Sequence, residues 1–462
     1  MRLCLLAALL STATAYIALR AHPRTAINPR IAAPPRLATS DSFSPLSIFE
    51  DLPEDVEKPF SLLLFSQFVL FIGVGAVIPT IPLYGKAIGL TGASTGVVIA
   101  APAVALLLGA QPCGKFSDAA RKPAMLIGMA VIALSDLGTA LSTSLIPLVI
   151  SRFGLGAGRC ISEAGERGML ADFGNAVPSL RGRTLAAQQA TLALGIAIGA
   201  PLGGLATERW GPSAAFLCVT AAATITLGLY SLLPETVETV ETKRKASSAD
   251  EDRAVWLQLL ADSRWRSLCA MEAGSRFGFA AKIASIPVLA AAIFGGAPES
   301  GGTSGATAAG LLLSAAGLSG LLGAPAGGWF TDQQGAKATA VVAGLTAGAA
   351  LILIPIALSL PDRESAGLCF GSLVLLWSIA TSAQGPALIA LGQQLAPAGN
   401  EAESLALPRA AGDAVFIVAP FALGSVADSL PQAPGAECAV AGGAAALGAV
   451  ALALFGGESE SG

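Results

Sequence analysis

About twelve apolar segments, each near the ~20 residues that a helix needs to cross a ~30 Å hydrocarbon core, lie at about 60–84, 94–113, 124–143, 146–170, 184–207, 212–233, 267–294, 305–328, 337–359, 366–392, 404–427 and 436–456. With 53% hydrophobic and 13% charged residues, the chain is too apolar for an ordinary soluble enzyme, and the bilayer is its solvent. The expected fold class is an all-α membrane protein.

The longest polar interruption, Pro234 to Arg266, leaves six segments on either side. The expected organisation is a six-helix half at 60–233, a linker at 234–266, a second six-helix half at 267–456 and a tail at 457–462. The linker holds Lys243, Arg244, Lys245, Arg253, Arg264 and Arg266, and the short loops on its side add Arg121, Lys122, Arg181, Arg183 and Lys337. The opposite loops carry only Lys86, Arg209 and Arg363. By the positive-inside rule the linker side faces the cytoplasm or, in a plastid envelope, the stroma.

Residues 1–15 have the pattern of a signal peptide: Arg2, an apolar core from Leu3 to Leu10, then the small residues Ala13 to Ala15. Residues 16–40 carry Arg20, Arg24, Arg30 and Arg36 with no Asp or Glu, the composition of a transit peptide, and residues 41–59 form an acidic linker. A signal peptide followed by a transit peptide resembles the bipartite leader of algae with complex plastids, so the expected location is a plastid membrane. A plain secretory signal followed by a disordered tail places the protein in the plasma membrane or endomembranes instead.

The net charge of -4 and the lack of a basic stripe argue against a nucleic-acid partner. Seven cysteines are scattered singly with no CxxC, which is neither a disulfide framework nor a zinc site. The one histidine, His22, falls in the leader, so the mature chain offers none for a catalytic triad, a metal cluster or a proton relay. No metal, cofactor or enzymatic activity is expected, and any proton chemistry runs through carboxylates.

The fourth apolar segment is the chemically distinctive one. Arg152, Arg159, Glu163 and Glu166 follow at intervals of seven, four and three residues, so at about 3.6 residues per turn they line one side of a helix. Ionisable groups at bilayer depth cost on the order of 2.5 to 3.5 kcal/mol each, and they normally face a bundle interior or a watery cavity. Gly154, Gly156, Gly158, Gly165 and Gly168 thin the same helix for close backbone approach. Arg159 and Glu163 either neutralise each other structurally or line a translocation path. Asp136, near mid-depth in the third segment, either titrates with a proton cycle or is the counter-ion of Lys282 or Arg159.

An internal repeat relates the two halves. Leu107 to Asp118 reads LLGAQPCGKFSD and Leu321 to Asp332 reads LLGAPAGGWFTD, each placing a carboxylate at the linker-side membrane edge. Here the sequence resembles the major facilitator superfamily, over nearly all of Phe60 to Phe455. The family's gate motif fits Gly114, Asp118, Arg121 and Lys122 in the first copy, and Gly328, Asp332, Gly335 and Lys337 in the second. The first copy departs in having Ala119 and Ala120 where a basic residue is usual and no glycine before Arg121. Arg152 with Gly156 and Gly158 resembles the fourth-helix signature, whose arginine is associated with proton coupling. Gly195, Gly199, Pro201, Gly203 and Gly204 resemble the antiporter signature of the fifth helix, with its proline displaced by one residue. The resemblance leans towards the twelve-helix drug:proton antiporters.

The family fold implies a cavity lined mainly by helices 1, 4, 7 and 10 and reached alternately from each side. Those segments supply Gln67, then Arg159 and Glu163, then Glu272, Arg276 and Lys282, then Trp377, Thr381 and Gln384 as cavity candidates. Lys282 has no acid three or four residues away and needs a partner on another helix or an anionic substrate. Arg409 and Asp413 form a further i,i+4 pair in the eleventh segment. Asp136, Arg152, Glu163, Glu166 and Asp413 are the proton-coupling candidates.

The expected function is secondary active transport of a small organic solute, proton-coupled and efflux- or antiport-like, by a monomer in a lipid bilayer. A transport-inactive receptor or assembly partner built on the same fold is the alternative.

Overall fold

The computed structural model describes residues 54–176, 181–236, 256–295, 305–396 and 401–456, and all regular structure among them is helical. The signal and transit segments, the start of the acidic linker, most of the polar segment between the halves and the tail lie outside the described residues.

Segments one to six are α1 (Glu54–Val77) with the short α2 (Thr80–Ala87), α3 (Gly92–Ala119), α4 (Arg121–Leu141), α5 (Leu145–Ala176), α6 (Arg181–Trp210) and α7 (Pro212–Ser231). The second group is α8 (Ser263–Ala284) with α9 (Ile286–Phe294), α10 (Ala306–Gln334), α11 (Ala336–Ile352) with α12 (Ile354–Leu358), α13 (Arg363–Leu395), α14 (Glu401–Ser429) and α15 (Ala436–Phe455). Eleven described helices are long and apolar enough to span a membrane, twelve if the α8–α9 pair, bent by 40°, is one span. The first, seventh and ninth segments are therefore broken rather than continuous. Prolines account for the breaks, since each lacks a backbone donor: Pro79 caps α2, while Pro287 and Pro355 stand in the first turns of α9 and α12. Several helices also outrun the apolar segments, α5 reaching Ala176 and α1 beginning inside the acidic stretch at Glu54.

The two copies of the repeat end differently. Gly335 turns the chain from α10 to α11 with φ +90, a conformation open to glycine. In the first copy, which lacks that glycine, Ala120 makes the turn in an extended conformation.

Lipid gives helices no hydrophobic reason to associate, so small residues and hydrogen bonds must do it. In the first group α5 packs on α3 and α4, and α1 on α6 and α7; in the second, α8 packs on α14 and α15, and α13 on α10 and α11. Gly195, Gly199 and Gly203 form one face of α6, and a methyl on any of them would press into α1 at Phe71, Ile72 or Ala76.

The groups meet through α6 on α10 and α3 on α14. Gly92 and Gly96 lie against the backbone at Gly424 and Pro420, and Gly204 and Gly310 against the backbone at Ala306 and Ala200. Two carboxylates fasten this seam. Glu208, ending α6, accepts from the Gly305 N–H (2.9 Å), the Thr307 N–H (3.0 Å) and the Thr307 hydroxyl (2.6 Å). Asp428, ending α14, accepts from the N–H groups of Gly92 (2.8 Å) and Ala93 (2.9 Å). Each carboxylate of one group thus caps a helix N-terminus of the other, where the helix dipole favours an anion. Among the described residues the only other hydrogen bond between the groups is Ser314 Oγ to Ala197 O at 2.7 Å. All of these lie towards the side away from the linker. On the linker side Gly114 and Gly328 face open space.

Candidate translocation site

α5 owes its central place to glycines. Gly158 crosses Gly128 of α4, and Gly156 crosses Pro102 of α3, with no room for a Cβ at either crossing. The close approach buries Arg152 beside Asp136, at 3.5 Å, neither more than 6% exposed. The pair is incompletely satisfied, because Asp136 Oδ2 and Arg152 Nε have no hydrogen-bond partner. Of the alternatives open in the sequence, the counter-ion of Asp136 is neither Lys282 nor Arg159 but Arg152.

The charged stripe of α5 divides. Glu166 turns inward, where it accepts from Ser162 Oγ (2.6 Å) and Gln67 Nε2 (3.1 Å), and Gln67 in turn accepts from Gln188 Nε2 (3.2 Å). The Tyr230 side chain of α7 is fully buried, and its hydroxyl has no hydrogen-bond partner. Glu166 is thus a buried carboxylate held by neutral groups from α1 and α5, with no cation in ion-pair contact among the described residues. Glu163 turns the other way. Arg159 donates to it at 2.9 and 2.6 Å and Arg167 at 2.9 Å, and the Arg159 side chain is 44% exposed at the middle of a membrane-spanning helix. Arg409, on α14 of the other group, lies within electrostatic reach of Glu163.

Facing them, Arg276 binds both Glu272 (3.2 Å) and Asp413 (3.4 Å), and Arg409 reaches Asp413 at 4.0 Å. Two i,i+4 pairs, seen separately in the sequence, are thereby one chain of charges across α8 and α14. Gln384 donates to Ser275 Oγ at 2.6 Å, and Thr381 is tied to its own helix through the Trp377 carbonyl at 2.7 Å. Trp377 is 3% exposed, and Lys282 Nζ stands over its ring at 5.9 Å.

At the linker-side edge Arg121 donates to Asp118 (2.7 Å) and the Ser117 carbonyl (3.0 Å) and pairs with Asp172 of α5 (3.5 Å). Its guanidinium fills the space left by Gly168. Glu235, just after α7, accepts from the Arg121 and Lys122 N–H groups at the start of α4. Asp332 in the second copy is exposed and has no ion pair among the described residues, and Lys337 is half-buried. Ser162, Gln188, Tyr230 and Ser275 were not singled out in the sequence. Polar residues inside apolar segments were the available signal, but which of them face a carboxylate depends on helix rotation. Glu208 and Asp428 were missed because they look like ordinary helix-end acids.

Comparison with known proteins bears on the whole arrangement. The quinolone resistance protein NorA of Staphylococcus aureus is 29% identical over 157 residues, 33% of this chain and 39% of NorA. Multidrug resistance protein 2 of Bacillus subtilis is 33% identical over 94 residues, 20% of this chain and 24% of that one. The chain therefore matches well under half the length of these relatives. Among solved structures, a point mutant of the nucleoside transporter NupG superposes with a TM-score of 0.74 at 13% identity, covering 86% of this chain and 99% of the other. A D-xylose-proton symporter superposes at 0.68 and 15% identity, covering 87% and 98%. The family model described as Major Facilitator Superfamily matches residues 63–420, from α1 into α14 and through every charged cluster just described. That match, over well more than half of the chain, shows that the chain belongs to the Major Facilitator Superfamily.

Proposed function

We propose that the protein is a secondary active transporter of a small organic solute that works by alternating access and couples to protons in the efflux, or antiport, sense. One observation carries this reading. The hydrogen bonds that fasten the groups lie at one end, and towards the middle of the membrane Arg159 and Glu163 are partly exposed while Glu166 is buried one turn away with no cation in ion-pair contact among the described residues. An anionic carboxylate in such a place is expensive, so Glu166 alternates between a protonated state and a charged one as its surroundings change. Movement of Glu166 shifts α5, and α5 carries Arg159 and Glu163, which contact the solute. The partial likeness to NorA and to Multidrug resistance protein 2 supports efflux over uptake.

The purified full-length chain, reconstituted in liposomes with a panel of solutes and an imposed pH gradient, tests the proposal. We expect accumulation of at least one solute against its gradient, abolished when the pH gradient is collapsed. Solute movement indifferent to the gradient rejects proton coupling, and no movement of any solute rejects transport.

We place the protein in a plastid membrane on the strength of residues 1–40. A fluorescent protein fused after Ser40 is expected in the plastid, and deletion of residues 16–40 is expected to leave it in endomembranes. Plastid delivery by the shortened leader would overturn the assignment.

A further inference from the structure

Lys282 is an intramembrane cation that makes no ion pair with a carboxylate among the described residues. The other carboxylates of the site have their own partners: Asp136 pairs with Arg152, Glu163 with Arg159 and Arg167, Glu272 and Asp413 with Arg276, and Glu166 is held by the neutral Ser162 and Gln67. The carboxylate that antiparallel packing brings nearest in depth is Glu437 at the start of α15, since Gly274 of α8 lies on Ala445 and Gly448 on Met271. Glu437 is buried in the first turn of α15, where the helix dipole favours an anion, and it makes no ion pair with Lys282. Among the described residues the ammonium therefore has the face of Trp377 and no anion.

Its surroundings are aromatic. Phe279, three residues earlier on α8 and 39% exposed, meets Phe416 of α14 with ring centroids 5.6 Å apart. Phe416 stands three residues beyond Asp413, so the second group presents, in order from the linker side, a neutralised chain of charges, a ledge of two phenyl rings, and then the ammonium over the indole. Immediately beyond Lys282 the helix breaks at Ser285 and the two groups close together. A half-buried cation at this depth is costly to maintain with no ligand-facing purpose, since an ammonium away from water needs an anion or a ring quadrupole and has only the latter.

We propose that Lys282, Trp377, Phe279 and Phe416 form a subsite for an aromatic carboxylate, with the carboxylate on the Lys282 ammonium and the ring on the phenyl ledge. The proposal rests on the transport reading and names the class of solute carried. It places the solute's carboxylate on α8 of the second group, opposite the solute contacts of Arg159 and Glu163, and leaves the proton to Glu166.

The test is calorimetric binding to the purified full-length protein in detergent of three probes with one ring system: 1-naphthoate, neutral 1-naphthamide and 1-naphthylmethylammonium. We expect wild type to prefer naphthoate to the amide by about tenfold or more, the range for a hydrogen bond to a charged group, and to bind the ammonium probe weakest. Lys282→Gln should erase the preference while leaving amide affinity unchanged, Lys282→Arg should keep it, and Phe279→Ala should weaken naphthoate and amide alike. Equal binding of naphthoate and amide by wild type overturns the proposal with no variant needed, as does absence of naphthoate binding. So does a preference that survives Lys282→Gln. Gradient-driven movement of a cationic dye without naphthoate binding would sink this proposal and leave transport standing; naphthoate binding without transport of any solute would do the reverse.

Discussion

At the scale of single residues, the two charge pairs of α4 and α5 differ in what they risk. Asp136 and Arg152 are buried and poorly hydrogen-bonded, so Asp136→Asn leaves an uncompensated guanidinium, a cost on the order of 3–5 kcal/mol. We expect a clear fall in melting temperature in detergent, largely restored in the double variant Asp136→Asn, Arg152→Gln. Arg159 and Glu163 are partly exposed, and water screens what is stranded. Replacing both by Gln should leave the melting temperature within a few degrees of wild type and still abolish coupled transport; wild-type rates with unchanged pH dependence would make the pair structural. The first pair was not legible in the sequence as a pair, whereas the second was. Residues four apart on one helix have a fixed relation, but contacts between helices depend on a rotation that composition does not specify. The same reason separates Glu272 with Arg276, which could be read, from Arg276 with Asp413, which could not.

At the scale of elements, the spans were largely legible in the chain, because length and hydropathy act locally, whereas the breaks at Pro79, Pro287 and Pro355 fall inside segments that read as continuous. Glycine spacing indicated close crossings without saying which helix is crossed. The structure discriminates among glycines that look alike in sequence. A methyl on Gly128 meets the backbone of Gly158 and Ser162, while one on Gly114 meets nothing within 4 Å. Gly128→Ala should cost about 1–3 kcal/mol by overpacking, and Gly114→Ala should leave thermal stability unaltered. Circular-dichroism melts of the two variants check this contrast. At the start of α8, Asp262 caps the helix by accepting from the Arg264 N–H at 2.9 Å, and the Arg264 side-chain hydrogen bonds hold its carboxyl below the usual range. A lowered value means that the cap contributes at neutral pH and is lost only as pH falls through the lowered value. Asp262→Ala should therefore matter at pH 7 and not in strong acid, a modest effect for a cap at a half-buried helix end.

At the scale of the whole molecule, the repeat points to gates on the linker side, and the observed fastening is on the other side. Glu208 and Asp428 are related as the repeat relates the groups, each lying at the end of a penultimate span and capping the second span of the other half. Glu208→Gln with Asp428→Asn should raise the labelling of a cysteine introduced into the recess when a membrane-impermeant reagent is supplied from the far side. Unchanged labelling would mean that the seam holds without them. Between these fasteners the seam is backbone against backbone, at Gly92, Gly96, Gly204 and Gly310. Such tightness leaves no room for a methyl at any of these four glycines, while apolar side chains interdigitate beside it: Ile283, Ala284 and Phe416 pack on the cluster of Val77, Ile81 and Val98, and Leu83 packs with Ala291 and Ala306. It makes the resting population sensitive to single methyl groups: Gly96→Ala would act as a wedge, and each 1.4 kcal/mol of strain would change the ratio of the sealed and parted arrangements about tenfold.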